Sequence, residues 1–415
     1  MLVMRENIIT SIDVGSSHIR ILVAEYSRGK RTFVIKTLSK VDSDGIKNGY
    51  IINADSAGEA IRQAIYETEK VSGHRIRKAL LSIGGIGLGT IADIATIAIS
   101  RADSMVSEFD IERLLGESEA RASERPNTRI IHTIPSDCKI DGKKILGKPF
   151  GYSGNRLELK TLFITGATPH ANVLVSLIEN CGVEVTEIYA SGVAESIVML
   201  NATARNAGVA IANIGAETVS FITWEDGLPT SVKVFPLGST DITHDIALGL
   251  KISLDEAEKL KTSLDTSPET TGNSKQAKAN KRIQEIIEAR LSDIFELIDT
   301  HLKKIGRSGL LPAGIIFTGE GAHTPGLEQL AKKQLSLPAR IGKGNIQSDL
   351  IGDYGDSKTG SKIRERMERA CEPEWSVVLG LTILGMSRGP EESLGIRVAK
   401  KTKSGVLNFL RQFLP

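Results

Sequence analysis

Ile8-Ile9-Thr10-Ser11-Ile12-Asp13-Val14-Gly15-Ser16-Ser17-His18-Ile19-Arg20-Ile21-Leu22-Val23-Ala24 stands near the head of the chain. Two β-branched, apolar runs flank Gly15-Ser16-Ser17, which predicts a hairpin with a tight turn. Such a turn presents backbone N–H groups and two hydroxyls with no bulky side chain among them, an arrangement suited to phosphate oxygens. Asp13, at the end of the first strand, is placed to hold a cation or its water. Taken alone, the stretch reads equally well as an ordinary hairpin with Gly and Ser in its turn.

A second copy decides between these readings. Val209-Ala210-Ile211-Ala212-Asn213-Ile214-Gly215-Ala216-Glu217-Thr218-Val219-Ser220-Phe221-Ile222 is again strand, glycine turn, strand. A third glycine loop, Thr318-Gly319-Glu320-Gly321-Ala322-His323, follows the apolar run Ile315-Ile316-Phe317 and leads into a helix expected over Leu327–Gln334. Two phosphate-type hairpins in the two halves of the chain, then a strand–glycine–helix loop, imply a nucleotide clamped between two related domains. At these positions the sequence resembles the actin-like ATPase superfamily, which also contains sugar kinases and heat-shock chaperone ATPases.

The bulk numbers bound the alternatives. A chain of 415 residues is long enough for two or more cores. Its 40% apolar and 25% charged content is that of a soluble globular protein. A net charge of +2 argues against a dedicated nucleic-acid binder. Cys138, Cys181 and Cys371 are scattered, which fits a reducing compartment and neither a disulfide frame nor a zinc site. The start of the chain shows no signal-peptide pattern, and no apolar run reaches the ~18 residues of a membrane-spanning helix.

In chain order, residues 1–84 read as a first lobe carrying the first hairpin. A helix is expected from Asp55 to Ser72, capped by Asp55 or Ser56. Residues 85–161 break the two-lobe pattern: strands, one charged helix over Glu108–Arg121, and Asp-Gly and Ser-Gly turns make a small α+β module. Residues 162–190 return to the first lobe, with a strand over Leu162–Ala167. Residues 191–240 form a second lobe with the second hairpin, preceded by a helix over Ser191–Asn206. Residues 241–311 form its outer subdomain, with a capped helix at Ser253 and a long amphipathic helix over Arg282–Lys304. Between these helices, Thr262–Lys281 reads as a surface loop. Residues 312–386 hold the third glycine loop and a closing helix, 387–403 a linker, and 404–415 a terminal amphipathic helix.

The inserted module carries a closer resemblance. Ile130-Ile131-His132-Thr133-Ile134-Pro135, the Asp141-Gly142 turn and Gly151-Tyr152-Ser153-Gly154-Asn155-Arg156-Leu157-Glu158 resemble the FtsA family of bacterial division proteins. Asp245-Ile246-Ala247-Leu248-Gly249-Leu250, Glu256-Ala257-Glu258-Lys259-Leu260-Lys261 and the phrase around Arg290 do so again. The resemblance runs from about Ile8 to Leu414. It implies an α/β, actin-like two-lobe ATPase fold with an inserted small α+β subdomain and a C-terminal amphipathic helix. It further implies a protein that binds ATP and Mg2+, forms filaments with itself, works with other division proteins, and ties FtsZ filaments to the cytoplasmic face of the membrane.

Residue by residue, the resemblance assigns phosphate contacts to Gly15, Ser16, Ser17 and His18, and to Gly215, Ala216 and Glu217. It assigns the metal to Asp13, the nucleoside to Glu258 and Lys261, and its other wall to Gly319, Gly321 and Ala322. FtsZ's C-terminal tail, partly acidic, would meet the outer subdomain, where Arg282, Arg290, Lys303 and Lys304 are the candidates, Arg282 and Arg290 first; a merely solvated basic face is the competing reading. Four positions depart from the pattern. Asn213 stands where an Asp usually organises magnesium and water, Glu217 and Glu320 where Gly is common, and His18 where Lys is common. A carboxylate beside phosphate is unfavourable unless magnesium bridges them. The expected behaviour is therefore ATP binding with slow hydrolysis or none.

The tail Ser404-Gly405-Val406-Leu407-Asn408-Phe409-Leu410-Arg411-Gln412-Phe413-Leu414-Pro415 completes the reading. As a helix, Val406, Leu407, Phe409, Leu410, Phe413 and Leu414 fall within an arc of about 160°. Arg397, Lys400, Lys401, Lys403 and Arg411 add positive charge, and no acid follows Glu392. That is the pattern of an interfacial helix on an anionic membrane. A terminal helix docked on its own core is the alternative. Two other function classes stay open: a PilM-like actin-fold scaffold that binds a partner peptide, and a small-molecule kinase, which needs a catalytic base that no phrase here marks.

Overall fold

The computed structural model describes residues 7–27, 32–145, 147, 149–264, 275–346, 350–352 and 358–386. Two sheets organise them. The first has five strands in the order Glu184–Ala190, Lys78–Ile83, Asn7–Val14, His18–Ser27 and Thr32–Asp42. Its centre is the hairpin read from the sequence: Asn7–Val14 runs antiparallel to His18–Ser27, and the last register pair, Val14 with Ile19, leaves Gly15, Ser16 and Ser17 as the turn. Ile12, Ile21, Leu22 and Val23 are fully buried, so residues of both parities are covered. The helices Ala54–Ser72 and Ser376–Met386 both pack on this sheet.

The second sheet has nine strands, in the order Ala339–Ile341, Ile315–Thr318, Val209–Ile214, Val219–Glu225, Leu228–Phe235, Gly89–Ala98, Arg156–Ala167, Thr128–Ile140 and Lys143–Ile145. Its first five strands contain the second hairpin and, parallel to it, the strand that feeds the third glycine loop. Its last four build the inserted module. A single register pair, Lys233 with Gly89, joins the two parts. The module has its own core of Ile111, Leu114, Leu115, Leu157 and Leu159.

Local chemistry sets the helix boundaries, and several differ from the sequence expectation. Asn53, not Asp55 or Ser56, caps the first helix. Its side-chain oxygen accepts from the Asp55 and Ser56 amides at 3.1 and 3.2 Å. Ser107 and Asp110 form a capping box for the helix Glu108–Ser123. The helix expected over Ser191–Asn206 is two: Leu200 turns extended after Ser191–Met199, and Asn201 caps a second helix, Ala202–Ala207. The long amphipathic helix begins at Lys275, inside the expected loop. Its Ile283, Ile287, Leu291, Ile294, Phe295 and Ile298 are all buried in the second lobe's core. The expected first-lobe strand Leu162–Ala167 is instead the second half of Arg156–Ala167. It pairs with Gly89–Ala98 and Thr128–Ile140 in the nine-stranded sheet, because the long strand continues the inserted module's ladder without a break in chain direction. The linker expected over 387–403, and the tail residues Val406, Leu407, Phe409, Leu410, Phe413 and Leu414, lie outside the described residues.

The closing helix Ser376–Met386 is buried along almost its whole length. Its Gly380 sits against the Ser191–Met199 helix, where an added methyl would lie 1.9 Å from the Ala194 carbonyl oxygen. The contact is backbone to backbone, so neither side gives by rotating a side chain. Overpacking of this kind costs typically 1–3 kcal/mol, and Gly380→Ala is expected to destabilise the chain by about that much in urea unfolding. Gly116, exposed in the Glu108–Ser123 helix with nothing within 4 Å of an added methyl, is the control. There the same substitution should stabilise by about 0.5–1 kcal/mol through helix propensity.

Candidate functional site

The two hairpin turns and the third glycine loop converge on one cleft of about 790 Å³, open to solvent. Gly15, Ser16, Ser17 and His18 line it from the first lobe, and Gly215, Ala216 and Glu217 from the second. Each turn is closed by one backbone bond, Gly15 N–H to the His18 carbonyl at 3.0 Å and Gly215 N–H to the Thr218 carbonyl at 2.9 Å. Gly319 and Glu320 enter from the third loop, and Asp13 and Asn213 stand at the strand ends beneath the turns. Gly319 has φ +80°, and a methyl there would lie 2.5 Å from both the Asn213 side-chain oxygen and the Ile214 carbonyl oxygen. Glycine is therefore required for the third loop to lie against the second hairpin.

Other expected residues fall elsewhere. Gly321 and Ala322 are buried; Gly321 packs against Ile214 behind the cleft wall. Lys261 is buried away from the cleft lining. Its ammonium donates to the Thr243 hydroxyl at 2.9 Å and the Ser239 carbonyl at 3.2 Å, and pairs with Glu258 at 2.7 Å. Glu258 and Lys261 thus join two helices of the outer subdomain to each other. Arg290 holds Asp245 through two bonds of 2.7 and 3.0 Å and pairs with Asp293 at 3.2 Å, so this guanidinium ties the long helix to its neighbour Ser239–Leu250. Arg282 is exposed on the same long helix.

Charge in the cleft is matched within the protein. Burial pushes the Asp13 carboxyl up, while a hydrogen bond from Ser82 and the positive charge of Arg20 act to lower it. Glu217 crosses to the first lobe, where it accepts the Asn48 amide at 2.6 Å. Glu320 also crosses: it meets the Arg20 guanidinium and the Lys40 ammonium, and lies 3.3 Å from His18 Nδ1. Burial alone would raise its pKa, but these three groups hold it well below the usual carboxylate range. Sequence reading counted Glu320 as an unmatched negative charge; the fold surrounds it with cations.

One buried residue behind the cleft had no signal in the sequence. Glu195, fully buried on the Ser191–Met199 helix, accepts from Asn213 Nδ2 at 2.8 Å, Thr318 Oγ1 at 2.8 Å and Ser376 Oγ at 3.3 Å. All three bonds go to Oε2, and Oε1 has no hydrogen-bond partner among the described residues. The amide at 213 is thus backed by a carboxyl one layer deeper. Burial pushes that carboxyl up to about 7, against its three donors and with a smaller push from Asp13. Only a motif for a buried acid facing a strand three segments away would have found it, and Val193-Ala194-Glu195-Ser196-Ile197 reads as plain helix.

The cleft fits an anionic ligand. Ser16 and Ser17 offer hydroxyls, and Ser191 Oγ and Arg20 Nε, both on residues of its wall, are buried without a partner among the described residues. Magnesium is held by few protein ligands and keeps several waters, so a lone Asp13 fits it. No cluster of three or more metal-ligating side chains occurs among the described residues.

Two lobes meeting over paired hairpin turns, with a third loop between them, define an actin-like fold. In agreement, the solved PilM–PilN type IV pilus biogenesis complex matches with TM-score 0.64 at 15% identity, covering 92% of this chain and 99% of that one. The family model of cell division protein FtsA matches residues 210–380, and that of the SHS2 domain inserted in FtsA matches 90–165. The chain is 30% identical over 375 residues to cell division protein FtsA of Borreliella burgdorferi, covering 87% of this chain and 90% of the relative. It is 29% identical over 348 residues to that of Bacillus subtilis, covering 81% and 78%. The chain belongs to the FtsA family of cell division proteins.

The Glu195 environment makes stability depend on pH with a definite sign. The folded protein keeps this proton up to about pH 7, whereas the carboxyl ordinarily releases it near 4.5. Between those values the folded state binds the extra proton, so this group's contribution to stability falls as pH rises. In Glu195→Gln the penalty is absent. Relative to the parent, the variant is expected to gain stability between these pH values, by at most about 3 kcal/mol, in denaturant titrations across that range. A pH-independent difference would assign Glu195 an ordinary pKa.

Proposed function

We propose that this chain is an ATP- and Mg2+-binding division protein that polymerises and tethers FtsZ filaments to the cytoplasmic face of the membrane, as a peripheral protein at the division site. The observation that carries the nucleotide part is the meeting of Gly15–His18, Gly215–Glu217 and Gly319–Glu320 on one cleft. Asp13 is the residue that would hold magnesium, which would supply positive charge beside the phosphates. Hydrolysis is slow or absent in this reading. Asn213 cannot take a proton from water as an Asp would, and Asp13, Glu217 and Glu320 each already engage a group of the protein. A steady-state turnover well above about one per minute would overturn that part.

Family membership supports the tether. Residues 241–311 would form the outer subdomain that receives the FtsZ C-terminal tail, with exposed Arg282 as the contact and Arg290 as the residue that holds its helix in place. The anchor would be residues 404–415, whose sequence would put six apolar residues on one face if helical, after a stretch rich in Lys and Arg. Each large side chain contributes about 1.5–3 kcal/mol at full burial, reduced by partial insertion and by the cost of ordering the segment. One tail therefore binds reversibly, and many tails on a filament bind tightly through avidity.

Co-sedimentation with anionic vesicles tests the anchor. The full chain is expected to pellet with lipid, and a chain ending at Lys403 to stay in solution. If both remain soluble, the tail is a docked helix and a PilM-like peptide-binding scaffold is the better reading.

A further inference from the structure

Arg20 and Lys40 are directly opposite each other on adjacent antiparallel strands of the first lobe. Like charges so placed repel, and a sheet that keeps them needs an anion between them. His18, on the same strand as Arg20, brings a third basic group, itself 3.5 Å from Asp42. Asp13 feels the charge of Arg20, but the anion that pairs with both Arg20 and Lys40 is Glu320, which arrives from the other lobe. The Arg20, Lys40 and Glu320 side chains are 11%, 34% and 30% exposed, so the cluster is partly shielded from solvent and salt. Arg20 still has its Nε buried and without a partner among the described residues, so the cation wall has donor capacity beyond what Glu320 uses.

We propose that Glu320 is an internal anion that latches the two lobes across the cleft and competes with a polyphosphate ligand for Arg20 and Lys40. The proposal rests on the nucleotide reading of the cleft and deepens it. Without ligand, Glu320 completes the cation wall and holds the lobes closed, so closure does not require nucleotide. For a phosphate chain to use Arg20 and Lys40, the carboxylate must leave or be bridged by a divalent cation. The departure from glycine at position 320 then acts as a selective weakening of anion binding and not as a loss of the site. Glu217 makes no comparable claim on the cations, because its bond is to a backbone amide.

Isothermal titration of the full chain with inorganic tripolyphosphate, and separately with ATP and magnesium, tests this at fixed pH and salt. Glu320→Gln keeps the volume and removes the charge. It is expected to bind both ligands at least tenfold more tightly than the parent. Small-angle scattering of the ligand-free variant should give a larger radius of gyration. Equal or weaker affinity for tripolyphosphate in the variant would overturn the latch. Tighter tripolyphosphate binding with ATP bound no better than tripolyphosphate would keep the latch and remove the nucleoside from the reading. Equal, tight ATP binding by parent and variant would keep the nucleotide and remove the latch, and no binding of either ligand by either protein would remove both. Glu320→Asp, which keeps the charge and shortens its reach, should show the same order with a smaller gain. It serves as the readout if the glutamine variant fails to fold.

Discussion

One buried carboxyl group joins the segments on which the cleft floor depends. Glu195 comes from the Ser191–Met199 helix. It takes hydrogen bonds from the end of the second hairpin's first strand, from the strand that feeds the third glycine loop, and from the start of the closing helix. These pieces are far apart in sequence, and apolar packing does not fix their rotation about one another. A carboxyl oxygen with three donors does, because each donor loses its partner if any segment turns. The cost is a second oxygen buried without a partner among the described residues. The Gly380 contact with Ala194 then holds the closing helix against the backbone one residue before Glu195.

Across the mouth of the cleft the lobes meet through polar contacts. Asn48 to Glu217 and the Glu320 cluster both span the cleft. Polar contacts of this kind are short-ranged in angle but individually weak once water can reach them. Behind the cleft, apolar burial is shared: Ile12, Ile21 and Ile83 of the first lobe and Ile211, Ile222 and Val234 of the second belong to one core, while the outer side of the second lobe has its own. The polar contacts at the cleft therefore act on top of a buried apolar surface that already joins the lobes.

The fold was legible where backbone chemistry repeats. Gly15-Ser16-Ser17 and Gly215-Ala216-Glu217 each lie between β-branched runs, and tight turns there have few alternatives. The amphipathic period of the long helix was equally plain, since Ile283, Ile287, Leu291 and Ile294 keep one face. Boundaries decided by side-chain capping were less so. Asn53, Asp55 and Ser56 are all competent caps, and only the extended backbone at Asn53 selects it. The charged part of the site was the least legible. Position 320 beside a phosphate site reads as repulsion. That Arg20 and Lys40 face it follows from strand register and lobe closure, neither of which is local in sequence. Lys261 was not legible in its partners either: its ammonium donates to Thr243 and Ser239 and pairs with Glu258, contacts that no local pattern announces.

The departures from the superfamily pattern form two compensated pairs. At 213 a strand carboxylate is replaced by an amide, and a carboxyl appears behind it at 195. At 320 a glycine is replaced by a carboxylate, and Arg20 and Lys40 stand opposite. In the first pair, the carboxyl lies in a layer that water does not reach, where burial favours its neutral form up to about pH 7. In the second, negative charge is added at the surface but spent on cations. Both positions are thus engaged within the protein, one by a buried carboxyl and one by two cations. The two pairs share a logic that a single substitution cannot undo. Asp at 213 would meet a second buried carboxyl at 195, and glycine at 320 would leave Arg20 and Lys40 facing each other.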